Sequence, residues 1–428
     1  MLPQVRTPAP SPSGRRTPAG GVRTNDPEAC EEGEAQFAGL GREAAMTTDT
    51  PAYSPGLEGV PIAESALSLV EGQVGRLSYR GYSIEDITGP ENTFEEIVAL
   101  IYDGELPKPA RILEMKRHLE AQRALTPAQI EFARSAAKLS HPMFALQAAV
   151  AILGPMDNDF ERKVETVTER GLALTAKVGH LVGVIAQAVA GKPYDGPRPG
   201  ESHAHMMLRM LTGKEPTELH NRVMDALLIL QADHSAGNAS TFTSRVVTST
   251  KAEPEAVVSS AIGALSGPAH GGANEHSLRL FMEIGAPSGA EAKIQRLLED
   301  KYKIPGFGHR VYHVKDPRSK VIQTLAAEVI KGETPEADHY QIALMVEKIA
   351  TARLGDRGLF PNVDLFSGCV FEAIGIPIDF FTPVFAASRT AGWTANIREQ
   401  WDSGNRIFRP AQIYVGPPIR EYTPITRR

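Results

Sequence analysis

The sequence predicts a mainly α fold with a minor β element near its N-terminus. Two observations carry this expectation. Apolar residues recur with a helical period in segment after segment from Phe94 to Trp401, and few segments alternate as strands do. The 428 residues are 42% hydrophobic and 22% charged, enough chain for two lobes.

The first 50 residues stand apart. TPAPSPSGRRTPAGG, from Thr7, is rich in Pro, Gly, Ser and Arg and poor in large apolar side chains. Such a segment buries too little surface to offset its ordering entropy, so residues 1–50 read as disordered. Two other readings stay open. One is a targeting peptide, since acidic residues are absent before Asp26, although the prolines oppose an amphipathic helix. The other is a translation start at Met46. From Gly56 to Asp86 the chain has turn glycines and short β-like runs such as ALSLV. The helical pattern follows: FEEIVALIYDGELP closed by Gly104 and Pro107, then RILEMKRHLEAQ, ALQAAVAI, RGLALTAKVGHLVGVIAQAVAG and NRVMDALLILQADHSAG. Further helices are expected at 254–266, 274–284, 290–301, 318–331, 340–354 and 383–401.

The formal charge of −6 gives no polyanion-binding signature, so nucleic acid is not an expected partner. The apolar run from Met143, MFALQAAVAILG, is read as the longest and is too short to cross a bilayer, so no membrane role is expected. No basic patch precedes an apolar run at the N-terminus, which argues against secretion. The two cysteines, Cys30 and Cys369, suit neither a disulfide frame nor a metal cluster. A reducing cytoplasm is the expected setting.

Three histidines sit in small-residue turns: His234 in QADHSAGNASTFTSRVV, His270 in SGPAHGGANEH and His309 in KIPGFGHRVYHVKDPR. A lone histidine is ordinarily a surface or satisfied core residue. Three beside glycines, which let a ligand approach the backbone, weaken that reading. A zinc site would need paired ligands in a hydrolytic context, and neither His270 with His276 nor His309 with His313 has one. HAH at 203–205 is likewise incomplete, so no metal is expected. Asp364, in LFPNVDLFSG, lies among apolar residues. Desolvation would raise its pKa and suit it as a base for a weakly acidic C–H, whereas the segment alone favours a helix N-cap. Arg318, Arg389 and Arg409 occupy turn-like or small-residue settings. Their two-pronged guanidinium groups suggest a substrate with more than one carboxylate.

GPAHGGANE, PGFGHRVY with KDPR, PNVDLFSG and FRPAQIYVGP, in that order, resemble the citrate synthase family, and the resemblance runs from about Gly56 to Arg428. It implies a helical homodimer with a large and a small domain and an active site in the cleft between them. The segments implied are 51–271 and 380–428, with a C-terminal arm, for the large domain and 272–379 for the small one. The substrates implied are acetyl-CoA and oxaloacetate, with no cofactor. Asp364 matches the base that deprotonates the acetyl methyl group. His270 matches the donor that stabilises the enol, and His309 the donor that polarises the oxaloacetate carbonyl. His234, Arg318 and Arg389 match residues that hold oxaloacetate, and Arg409 matches an arginine contributed across the dimer interface. Lys303, Ile304, Pro305, Gly306, Phe307 and Gly308 match a loop lining the CoA site. Met206 falls where relatives carry a polar residue facing oxaloacetate, and His205 is read as its substitute. The long N-terminal β module of hexameric relatives is absent, which implies a simple dimer.

A thioester α-proton is too weakly acidic for a carboxylate alone, and a positioned donor at the developing oxyanion contributes ~3–4 kcal/mol. One carboxylate and two histidines therefore suit a carbon–carbon condensation. The close alternative is 2-methylcitrate synthase, which uses propionyl-CoA, since one methylene discriminates by only ~1–3 kcal/mol. A non-catalytic paralogue would have lost the base or a histidine, and all three positions are filled.

Overall fold

The computed structural model describes residues 53–154 and 163–428. The segment 1–50, with Cys30 and the candidate start Met46, lies outside the described residues. Residues 53–59 belong to a first unit and carry a single 3-10 turn, Pro55–Leu57. Val60–Arg428 form the second unit.

The second unit opens with an antiparallel sheet of β1 (Ser68–Glu71), β2 (Arg76–Tyr79) and β3 (Tyr82–Ser83), in that order. Fifteen α-helices follow among the described residues. They are α1 (Phe94–Asp103), α2 (Pro109–Gln122), α3 (Pro127–Ala137), α4 (Pro142–Ala151), α5 (Val164–Val189), α6 (His203–Thr212), α7 (Glu218–Gln231) and α8 (Ala239–Ser249), then α9 (Pro254–Leu265), α10 (Ala273–Ile284), α11 (Pro287–Glu299), α12 (Pro317–Val329), α13 (Pro335–Leu354), α14 (Asp364–Ala373) and α15 (Phe381–Asp402). The expected mainly α class holds.

Local chemistry sets the boundaries. Seven of these helices begin at proline, whose fixed φ and missing N–H suit a first helical position. At α1, the Thr93 side chain accepts the Glu96 N–H, and left-handed Gly104 closes the last turn on the Leu100 carbonyl. At α3, Thr126 and Gln129 form a reciprocal capping box. Neither α3 nor α6 is among the helices expected from the periodicity. The apolar spacing of α3 is weak, and it buries only Ala133 and Ala137.

The core is built on α5, which packs against α15, α6 and α3. Helix α5, expected from RGLALTAKVGHLVGVIAQAVAG, is a longer apolar segment than the run from Met143. Its 26 residues are long and apolar enough to cross a membrane by length and composition, but 83% of that window is buried inside the protein. It is a core helix that is apolar nearly all round.

Candidate active site

The site begins at the end of α7, in the turn Asp233–His234–Ser235. Two elements clamp this turn. From the sheet, the Tyr79 hydroxyl donates to the Asp233 carbonyl at 2.9 Å, and Ser68 Oγ donates to Asp233 Oδ2 at 2.5 Å and accepts the Ser235 N–H at 2.8 Å. From α15, Asn396 donates to Asp233 Oδ1 at 3.4 Å. Ser235 holds a left-handed φ of 65°, so the turn reverses sharply. His234 is thereby buried with Nε2 unpartnered, and burial with the nearby Arg318 charge holds its pKa well below the usual value.

His270 lies in the turn between α9 and α10. The Gly271 N–H returns to the Leu265 carbonyl at 2.9 Å, and a Cβ on Gly271 would meet that oxygen at 2.6 Å. Only glycine fits there. His270 Nε2 meets Ser240 Oγ of α8 at 2.9 Å, and Trp393 Nε1–H donates to the same oxygen at 3.2 Å. Burial, then the charges of Arg389 and Arg318, lower the His270 pKa to about 4, so its ring is neutral at pH 7.

His309 precedes α12. Its Nδ1 accepts the N–H groups of Val311 at 3.0 Å and Tyr312 at 3.1 Å, so the neutral ring carries its proton on Nε2. Burial lowers its pKa to about 4. The ring lies 5.3 Å from that of His234, and Tyr312 packs on both, at 4.7 Å from His309 and 5.7 Å from His234. The β1–β2 turn reaches this loop too, because the Gly72 carbonyl accepts the His313 N–H at 3.1 Å. The small sheet thus braces both the His234 turn and the His309 loop.

Asp364 is the first residue of α14. The N-cap position is Val363, and the Asp364 N–H is taken by Asn362 Oδ1 at 2.9 Å, so the Asp364 side chain is not the cap. The N-cap reading of this aspartate is therefore replaced. The carboxyl is buried with Oδ1 unpartnered, and desolvation raises its pKa to about 7 despite the opposing charges of Arg318 and Arg389. The 303–308 loop is locked against this segment. The Gly308 N–H donates to the Phe360 carbonyl at 2.7 Å, and the Asn362 N–H to the Gly306 carbonyl at 3.0 Å. A Cβ on Gly306, which has a φ of 72°, would meet the Leu365 backbone at 2.6 Å.

Two of the three arginines are buried. Arg318 is held in a fork by Asp316, with bonds of 3.1 Å and 2.7 Å, and this carboxylate raises its pKa. Arg389, on α15, donates from Nε to the Gln231 carbonyl at 2.6 Å and leaves Nη1 unpartnered. Desolvation lowers its pKa to about 10, so it keeps its charge at neutral pH. The unpartnered nitrogens of His234 and Arg389 suit a bound carboxylate, and the unpartnered Asp364 oxygen suits a group with a proton to give.

Residues 56–411 match the family described as citrate synthase, C-terminal domain. The citrate synthase of Acidithiobacillus ferridurans is 38% identical over 388 residues, covering 88% of this chain and 99% of that one. The 2-methylcitrate synthase 2 of Corynebacterium glutamicum is 36% identical over 392 residues, covering 90% and 100%. Among solved structures, a ternary complex of carboxymethyl coenzyme A and oxaloacetate with the citrate synthase of Thermoplasma acidophilum matches with a TM-score of 0.84 at 31% identity, covering 89% of this chain and all 100% of that one. The chain belongs to the citrate synthase family.

Within this family frame, the structure does not bring every expected residue to the site. His205, on α6, pairs with Glu215 at 2.8 Å and lines a separate cleft with Thr93, Thr217 and Asn221. That position corrects its reading as a substitute oxaloacetate ligand: a one-residue shift from Met206 rotates the ring by about 100° around the helix. Met206 itself is fully buried in the core. Arg409 is exposed in the extended segment after α15, away from helical support. In the 303–308 loop, Lys303 is exposed, Ile304 and Gly306 are buried, and Pro305, Phe307 and Gly308 are half-buried. Sequence reasoning gave no role to Ser68, Tyr79, Tyr312 or Trp393. They hold the site residues from other elements, and only the aromatic of HRVYH stood beside a motif histidine.

Proposed function

We propose that this chain is a citrate synthase, condensing acetyl-CoA with oxaloacetate and hydrolysing citryl-CoA to citrate and CoA. The observation that carries the reading is Asp364, a buried carboxyl with a free oxygen and a pKa raised to about 7, which shares the field of Arg318 with two histidines kept neutral. Asp364 removes a proton from the acetyl methyl while a His270 N–H donates to the thioester oxygen. The enol carbon attacks the oxaloacetate carbonyl, which the His309 Nε2–H polarises, and protonation of that oxygen completes citryl-CoA. Water then cleaves the thioester. Atoms balance with water as the only further reactant, and the chain's own carboxyl and N–H groups fill the acid–base roles.

His234, Arg318 and Arg389 hold the oxaloacetate carboxylates, and residues 303–308 line the CoA site. Segments 272–379 form a small domain that closes over the substrates and excludes water. A second copy completes each site through Arg409. The arm that bears it exposes Ile413, Tyr414, Val415 and Ile419, an apolar edge suited to a partner surface. We place the reaction in a reducing cytoplasm, in keeping with the free buried thiol of Cys369.

The 2-methylcitrate synthase relatives support one competing reading. Steady-state kcat/KM for acetyl-CoA and propionyl-CoA, each with oxaloacetate, separates them. An acetyl preference is expected, and a propionyl preference would overturn the assignment.

A further inference from the structure

Ser240 Oγ lies at a junction of three groups: His270 Nε2, Trp393 Nε1 and Asn238 Oδ1. We propose that Trp393 is a positioning residue, whose indole N–H directs the Ser240 hydroxyl proton and thereby fixes the tautomer of His270. The consequence for catalysis rests on the enol-stabilising role given to His270 above.

Counting protons and lone pairs gives the direction. A serine hydroxyl has one proton and two lone pairs, and an indole N–H only donates. Trp393 therefore takes one lone pair of Ser240 at 3.2 Å. The hydroxyl proton then has two acceptors within reach, His270 Nε2 at 2.9 Å and Asn238 Oδ1 at 3.0 Å. Asn238 Oδ1 already accepts the Ser240 backbone N–H at 3.2 Å as the cap of α8. An oxygen that has accepted one hydrogen bond becomes a stronger donor and a poorer acceptor for a second donor. This disfavours a His270 Nε2–H pointing at Ser240 and favours the hydroxyl donating to Nε2.

With Nε2 accepting, the neutral ring carries its proton on Nδ1, which is the nitrogen left to face a substrate oxygen. His309 is set in the mirror sense, because two backbone N–H groups fill its Nδ1 and leave the proton on Nε2. Each histidine is thus fixed from its far side. Trp393 is fully buried on α15, one helical turn beyond Arg389, so a single helix positions a substrate arginine and this relay.

The test uses full-length enzyme with 15N-labelled histidine and no substrate, the His270 signals being identified by their loss in His270→Gln. In wild type, His270 is expected as the Nδ1–H tautomer alone. Trp393→Phe, which keeps a buried ring without the N–H, should add the Nε2–H form and lower kcat about 10-fold, with the oxaloacetate KM within about 2-fold. Ser240→Ala should give the same shift, and Trp393→Phe should then add nothing further. If Trp393→Phe misfolds, tryptophan replaced biosynthetically by its sulfur isostere benzothienylalanine, in a Trp401→Phe background, keeps the shape and removes the N–H. A moved tautomer with unchanged kcat upholds the relay and removes the role given to His270. An unmoved tautomer, or losses from Ser240→Ala and Trp393→Phe that simply add, overturns the proposal.

Discussion

Two stretches of this chain place histidine beside small or apolar residues, and they use it differently. In α6, His203 is buried against Phe94 at 5.2 Å between ring centroids, and His205 pairs outward with Glu215. In the turn 267–272, His270 is held by Ser240 on another helix and belongs with His234, His309 and two buried arginines. Burial lowers the pKa in both places, to about 3 for His203 and about 4 for His270. A depressed histidine therefore does not mark a site by itself. Unpartnered nitrogens do not mark it either, since both ring nitrogens of buried His203 lack a partner; what marks it is irregular backbone braced by distant elements.

That contrast can be broken in several places. The largest effect is expected at the rings: His270→Gln should lower kcat by about 10²–10³-fold, while His205→Gln stays within about 2-fold, both read by CoA release. Next come the backbones. Gly271→Ala places a methyl against the Leu265 carbonyl and should cost both activity and about 1–3 kcal/mol of stability. Ala204→Gly, buried in α6, should cost about 1 kcal/mol in denaturant melts and leave kcat per folded enzyme unchanged. Equal loss of activity in both variants would erase the distinction.

The smallest effects are in pH. The folded pKa of His203, about 3, lies below its unfolded value, so its contribution is full above about 6.5 and is lost as the pH falls toward 3. His203→Phe should flatten the acid limb of the melting curve by about one proton. Asp364 has the opposite sign. Its folded pKa is raised from 3.8 to about 7, so the native state holds the proton more tightly and stability falls as pH rises through that window. Asp364→Asn should remove this slope and melt higher than wild type at pH 8, though not at pH 4. An Asp364→Asn melting curve parallel to wild type would contradict the burial account.

Much of the fold was legible because its signals are local. Helical periodicity, N-terminal prolines and the closing Gly104 are written within a few residues of the boundaries they set. Helix α3, with alanines in place of larger apolar residues, and α6, inside a segment noticed for its histidines, were not read. His270, His309 and Asp364 stood out through their glycine and proline settings. The local reading of Asp364 is nonetheless a cap, because Asn362 and Asp364 are both capping residue types and the segment alone does not choose between them. His205 was misplaced for a related reason: one residue on a helix turns a side chain to another face. The bracing by Ser68, Tyr79 and Trp393 spans separations of 153 to 167 residues in the chain, beyond any local pattern.

The central claim is that Asp364 is the base and that burial, by raising its pKa, suits it to that task. The most direct measurement is the pH dependence of kcat/KM for acetyl-CoA with saturating oxaloacetate, in wild type and Asp364→Asn. The expected wild-type profile falls on the acid side with an apparent pKa near about 7, and Asp364→Asn loses about 10²–10⁴-fold. Wild-type activity in Asp364→Asn, with the same acid limb, would contradict the account.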